Sequence, residues 1–186
     1  MIPLTALWMP IAISAVLVFL ASAVLHMVLP IHRKDYKKVP SEDAVRAAIR
    51  EAGVPPGYYF FPHAKDMKES QTPEMVEKFK EGPVAILTVM PSGPPAMGKT
   101  LAVWFVFCVV VSVFVAYLTT RTLDGGTSYL AVFRIAATVA FMGYGMSEAT
   151  NSIWRGQPWG NTWRALMDAF IYGLLTGGAF GWLWPA

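Results

Sequence analysis

The sequence is poor in charged residues and holds a single cysteine. Charged side chains make up 15% of its 186 residues, whereas a typical soluble domain has about 25%. The hydrophobic fraction of 55% excludes a disordered chain and disfavours an ordinary soluble enzyme. Cys108 has no second cysteine to pair with, which excludes a disulfide-stabilised scaffold. The composition instead favours a small bundle of apolar helices.

The few charges are unevenly distributed along the chain. Residues 31–99 hold eleven of the fifteen Lys and Arg and nine of the twelve Asp and Glu. We therefore predict a transmembrane helix in 1–30, a solvated insert in 31–99 and further transmembrane helices in 100–186. The remaining seven charged residues lie outside the insert: Arg121, Asp124, Arg134, Glu148, Arg155, Arg164 and Asp168.

Four stretches are candidates for membrane-spanning helices, which need about 20 predominantly apolar residues. They cover 4–29, 101–120, 129–151 and 163–184. The first is interpreted as a span and not as a signal peptide, because no Lys or Arg precedes it and its apolar run is too long. The predicted fold is therefore an all-α integral membrane protein, with four transmembrane helices and a small cytoplasmic α+β-like insert between helices 1 and 2.

The basic residues predict the orientation. Because most of them lie in the insert, the positive-inside rule places the insert in the cytoplasm and both termini outside. The expected location is a bacterial-type inner membrane, crossed several times. Five residues are predicted anchors at the membrane interface: Arg33, Lys34, Trp154, Trp159 and Trp163.

The insert carries local signals for both helices and strands. Ser41 is predicted to cap a helix that ends at Gly53, and Thr72 to begin one that stops at Gly82. The charges of the insert nearly balance, so no nucleic-acid partner is expected. Two short apolar segments are predicted to be either strands or segments that lie against the membrane interface: YYFF at 58–61 and VAILTVM at 84–90.

The segment GPPAMGKT at 93–100 matches the pattern of a phosphate-binding loop. Such a loop aims backbone N–H groups at the phosphates, and Pro94 and Pro95 lack that donor. The helix that follows is also the most apolar stretch of the chain. Nucleotide binding is therefore not expected.

Three ionisable residues are predicted at a similar depth in the membrane. His26, Glu148 and Asp168 fall about 7–9 Å inside the cytoplasmic interface at 1.5 Å per helical residue. They are candidates for a proton relay or a cation site. The favoured interpretation is structural, with Arg155 and Arg164 neutralising the carboxylates. Their spacing matches no metal-binding motif, so no metal site is predicted.

Small residues recur every four positions along the last predicted span, which predicts close packing against the third span. This packing would bring Glu148 near Asp168. The residues that form this predicted ridge are Ala165, Ala169, Gly173, Gly177 and Gly181.

No combination of residues in the sequence forms a plausible catalytic site, and no cofactor is predicted. We expect a non-catalytic accessory or scaffold subunit of a membrane assembly, with the lipid bilayer and a membrane protein or further copies of the chain as partners. The alternative is a small proton- or cation-coupled transporter or channel that uses the intramembrane carboxylates.

Overall fold

The computed structural model describes residues 2–186, of which most are helical: helices account for 69% of the chain. Short 3-10 turns cover Leu4–Leu7 and Pro30–Lys34, and a π-helical turn covers Val24–Val28. The other elements, in chain order, are α1 (Trp8–Ala23), α2 (Glu42–Glu51), β1 (Gly57–Phe61), α3 (Met67–Ser70), α4 (Pro73–Glu81), β2 (Ala85–Val89), α5 (Met97–Thr122), α6 (Tyr129–Gly145), α7 (Glu148–Arg155) and α8 (Trp159–Trp182).

The described chain forms two compact units. The first combines the residues up to Lys37 with Ala96–Ala186, and the second is Lys38–Pro95. The first unit therefore holds all the long apolar helices, and the second holds the two strands with three short helices.

Among residues 2–186, three helices are long and apolar enough to cross a membrane: Leu4–Val28, Met97–Thr122 and Tyr129–Arg155. Helix α8 has 24 residues but is not among them, since its polar residues and glycines lower its mean hydropathy. The mostly helical fold is thus confirmed, and three of the four predicted spans are helices that could cross a membrane. The fourth span stays a prediction.

The third of these helices is not continuous. Helix α6 ends at Gly145 and α7 begins at Glu148, with a turn between them. Glu148 therefore lies at the start of a short separate helix, whereas the sequence predicted it inside one long span over 129–151.

Helices α6 and α8 pack with their backbones in close approach. A Cβ atom added to Gly173 would lie 2.9 Å from the carbonyl oxygen of Ala137, and one added to Gly177 would lie 2.9 Å from that of Phe133. Because Gly173 and Gly177 have no side chains, the two helices can approach closely. The other residues of the predicted ridge lie along the same helix: Ala165 beside a cavity, Ala169 against Gly145, and Gly181 against the ring of Tyr129.

Polar contacts join α1 to α5. The Ser14 hydroxyl donates a hydrogen bond to Ser112 Oγ at 3.0 Å, and the Trp104 indole N–H donates to Ser22 Oγ at 2.8 Å. Hydrogen bonds of this kind hold helices together where no water competes for the polar groups. They fix residues 14–22 of α1 beside α5.

Residues from both ends of the chain lie at one end of the first unit. Leu7 and Phe180 belong to the same buried cluster. The Gly126 N–H donates to the carbonyl of Pro185, and the Trp184 indole donates to that of Asp124, both at 3.0 Å. The α5–α6 connection therefore adjoins the last residues of the chain.

The second unit contains a strand in each of the two segments where one was predicted. Strands β1 and β2 pair antiparallel, with Tyr59 opposite Leu87. Helix α4 is capped as predicted, because Thr72 Oγ1 accepts a hydrogen bond from the Met75 N–H. The predicted cap at Ser41 is wrong: its φ of +50° is left-handed and its side chain makes no cap bond, whereas a capping residue needs extended backbone.

The close approach of α6 and α8 yields a prediction about two neighbouring glycines. Gly177→Ala should lower the stability of the protein by about 1–3 kcal/mol, because the new methyl group would overlap the α6 backbone. The measurement is thermal unfolding of the purified protein in mild detergent.

Gly178→Ala is the matched control, since its added Cβ would meet only the Tyr129 hydroxyl, at 3.9 Å. Alanine favours a helix over glycine, so this change should leave the melting temperature unchanged or raise it. Equal melting temperatures for the two variants would contradict the observed packing.

Candidate functional site

Two histidine rings and a carboxylate converge in the first unit. Asp168 Oδ2 lies 2.9 Å from His32 Nε2 and 3.5 Å from His26 Nε2. The two imidazole rings stack almost in parallel, with centroids 4.1 Å apart. Asp168 is buried, whereas the side chain of His26 is 50% exposed. The cluster thus joins a buried carboxylate to a ring that reaches the surface.

A change in backbone direction after α1 brings the histidines together. His26 lies on the π-helical turn that follows α1, and such turns are frequent at functional sites. Leu29 is extended, as expected before a proline, and Pro30 then starts the 3-10 turn that carries His32. The chain therefore folds back far enough for two residues six positions apart to stack.

The other ring nitrogen of each histidine has an oxygen partner. His26 Nδ1 lies 3.1 Å from the carbonyl oxygen of Ser22, and His32 Nδ1 lies 2.6 Å from Asp35 Oδ2. A carbonyl oxygen or an ionised carboxylate only accepts hydrogen bonds, so each Nδ1 is assigned the proton. Each Nε2 is thereby directed at Asp168.

Asp35 is held from several sides. The Arg164 guanidinium donates to Asp35 Oδ1 at 2.5 Å, and the Asn161 amide donates to the Asp35 carbonyl at 3.0 Å. Burial raises the pKa of Asp35, but the hydrogen bonds from His32 and Arg164 outweigh it, so the pKa lies below its ordinary value. Asp35 is therefore an ionised partner for His32.

Arg164 occupies a different position from the one expected. The sequence suggested that it would neutralise Glu148 or Asp168, but its ion pair is with Asp35. Glu148 instead accepts a hydrogen bond from the Asn151 amide at 3.0 Å. The ionisable partners of Asp168 are thus the two histidines and not an arginine.

Glu148 lies near the cluster, but within residues 2–186 it forms no ion pair with it. It lines a polar cavity of about 250 Å³ together with His26, His32, Asp35 and Asp168. Of the three residues predicted to share one depth, His26 and Asp168 are therefore in contact, and Glu148 borders the same space.

A second, apolar cavity of about 680 Å³ adjoins the first. His26, Glu148 and Asp168 line both cavities. The remaining walls of the second cavity include four aromatic side chains, those of Trp104, Phe107, Tyr144 and Tyr172. Asp168 therefore lies at the boundary between a polar space and an apolar one.

A row of buried polar atoms continues from Asp168 along α8. Asp168, Tyr172 and Thr176 are four residues apart, so they share one helix face. Asp168 Oδ1, the Tyr172 hydroxyl and Thr176 Oγ1 have no hydrogen-bond partner within residues 2–186. By contrast, the hydroxyls of Thr119 and Thr138 donate to carbonyls of their own helices. This unsatisfied row is unusual inside a helical bundle.

Sequence reasoning missed His32 and Asp35, which it assigned to the start of the insert. The available signal was a histidine two residues after Pro30 and three residues before an aspartate. The predicted anchors Arg33 and Lys34 lie on the same 3-10 turn. The predicted tryptophan anchors are exposed: Trp154 by 82%, Trp159 by 53% and Trp163 by 66%.

No family model matches the chain, and no match to it was found among the curated proteins or the solved structures. The function must therefore be inferred from the geometry of the cluster, its two cavities and the polar row on α8.

The Asp35–Arg164 contact gives a testable expectation for stability. Arg164→Gln should destabilise the protein by about 1–3 kcal/mol, because it removes a charge-assisted hydrogen bond between two mostly buried groups. Thermal unfolding of Arg164→Gln, Asp35→Asn and the double variant measures the coupling between the two residues.

Lys78→Gln serves as the control, since Lys78 and Glu74 form an exposed ion pair on α4. Solvent screens such a pair, so no measurable change in stability is expected. Strictly additive effects of Arg164→Gln and Asp35→Asn would contradict the direct contact.

Proposed function

We propose that the chain is a multi-pass membrane protein that conducts or transports a cation through its first unit. The observation that carries this proposal is the row of unsatisfied polar atoms formed by Asp168, Tyr172 and Thr176. Polar groups without partners are costly in an apolar environment, and ionisable residues inside membrane helices commonly mark ion or proton pathways.

The row leads away from the polar cluster into the bundle. From Asp168 to Thr176 the helix rises about 12 Å. At one end of the row, His26 and Asp168 border a polar cavity. At the other end, Thr176 is fully buried. A cation that enters at the cavity would therefore meet successive oxygen atoms as it moves along α8.

We include α8 in this proposal as a fourth span. Its 24 residues measure about 36 Å, enough to cross a hydrocarbon core of about 30 Å. Its close packing on α6 supports this assignment. An even number of spans also agrees with the contacts that gather Leu7, Phe180 and Pro185 at one end of the unit.

The proposed orientation has the insert in the cytoplasm and both termini outside, in a bacterial-type inner membrane. The excess of basic residues between 31 and 99 supports it. The lipid bilayer is then a partner of the chain, while nucleic acid and nucleotides are not.

Labelling of single cysteines tests this orientation. In a Cys108→Ala background, Ser128→Cys should react with a membrane-impermeant maleimide on intact spheroplasts, and Lys68→Cys should react only after lysis. Both positions are exposed, and the native Cys108 is buried. Labelling of both positions from the same side would contradict the crossing of the membrane by α5, which lies between them.

An ion-flux assay tests the proposed function. The purified protein is placed in liposomes, cation gradients are imposed, and a potential-sensitive dye reports net cation movement. Thr176→Val should lower the flux at least about tenfold, because it removes an oxygen worth roughly 1.4 kcal/mol to a passing ion. The same change should leave the melting temperature equal or higher, since that hydroxyl has no partner among the described residues.

Thr119→Val is the matched control. Thr119 is also fully buried, but its hydroxyl is bonded within α5, at 2.8 Å from the Val115 carbonyl oxygen. Its removal should leave the flux unchanged. Equal flux in the native protein, Thr176→Val and Asp168→Asn would contradict the proposal.

The second candidate function is an accessory or scaffold subunit of a membrane assembly. It is favoured by the exposed aromatic side chains of β1, where Tyr58 and Phe60 are 59% and 45% exposed. Side chains of this kind are enriched where proteins meet. A folded protein that shows no flux but co-purifies with a membrane partner would favour this function.

A further inference from the structure

We propose that His26 Nε2, His32 Nε2 and the Asp168 carboxylate bind a divalent transition-metal cation of the zinc class. This inference names the cation of the proposed function and rests on that function for the role of the ion. Imidazole nitrogen and carboxylate oxygen are ligands that Zn²⁺ and Co²⁺ accept. Donor atoms of all three residues lie within 4.8 Å of one another.

The positions of the ring protons leave a space that a cation fits. With a proton on each Nδ1, a neutral His26 or His32 presents the lone pair of Nε2 to a carboxylate oxygen. His32 Nε2 lies 2.9 Å from Asp168 Oδ2 but has no hydrogen-bond partner within residues 2–186. Lone pairs that face one another are stabilised by a positive ion between them.

Metal binding requires the His26 ring to leave the stack. The two ring planes are 7° from parallel and their centroids are 4.1 Å apart. An ion bound by an imidazole nitrogen lies in the plane of that ring, so one ion cannot lie in both of these planes at once. Because the His26 side chain is half exposed, its ring has room to rotate towards an ion held by His32 and Asp168.

The distances suit a tetrahedral site. Two ligand atoms held about 2.0–2.2 Å from zinc stand about 3.4 Å apart. The two distances from Asp168 Oδ2 to the histidine nitrogens are 2.9 and 3.5 Å, on either side of that value. Rotation of the His26 ring out of its stack with His32 would place all three ligands around one ion.

The surrounding hydrogen bonds match those of known metal sites. A metal-binding histidine commonly donates its other N–H to a carboxylate or a backbone carbonyl. His32 has Asp35 in that position, and His26 has the Ser22 carbonyl. With three protein ligands, the fourth position opens towards the polar cavity that Glu148 lines. Zinc sites with three protein ligands hold a water or a substrate in such an open position.

The test is equilibrium binding of Co²⁺ to the purified full-length chain in mild detergent, after treatment with a chelator and removal of any affinity tag. We expect one Co²⁺ per chain, the visible absorption of a four-coordinate site, and displacement by Zn²⁺. His26→Gln should weaken binding at least tenfold while the protein stays folded, because the His26 side chain is half exposed. Asp35→Asn should weaken binding by about 10- to 100-fold through the orientation of His32.

His63→Gln is the matched control, because His63 is the third histidine and lies in the second unit. It should bind Co²⁺ as the native chain does. No binding by the native chain, or equal binding by native and His26→Gln proteins, would overturn the metal site even if cation flux persists. Binding that depends on His26, in a protein without flux, would uphold the site and reject the transport function.

Discussion

The contact of Asp168 with the two histidine rings is the interaction on which the first unit depends. A buried carboxylate needs positive charge or donors close by, because its transfer out of water is costly. The π-helical turn, the extended Leu29 and the following 3-10 turn deliver His26 and His32 to that carboxylate. Local irregularities of the backbone thus gather the three groups that we propose hold a cation, and that cation supplies the positive charge that Asp168 needs.

Close packing of α6 and α8 holds the Asp168 end of the cluster in a fixed position. Because glycines on α8 lie against the α6 backbone, α8 has little freedom to rotate or slide. Asp168 therefore keeps its direction, and Arg164, one turn earlier on the same helix, holds Asp35 and through it His32. The ring of His32 is oriented by a chain of contacts that begins and ends on α8.

The sequence predicted those features that depend on the spacing of residues along a helix. Small residues four apart indicated the packing surface of α8, and counting from the interface placed His26 and Asp168 at one depth. His32 and Asp35 were not predicted because a change in backbone direction after α1 brings them close to Asp168. The periodicity of residues along a helix does not indicate such a change. Glu148 was predicted in a continuous span, but the break after Gly145 moves it to the cavity wall. Residue spacing matched no metal motif, since the three ligands come from two distant segments.

The partial exposure of His26 bears on the kinetics of the site. Asp168 is almost fully enclosed, yet the ring beside it is half open to its surroundings. An ion held between them could exchange through the His26 side without any helix moving apart. Residence time would then be controlled by one side chain, and affinity by the buried carboxylate and by His32. Such a division lets a protein bind an ion selectively and still release it within the time of a transport cycle.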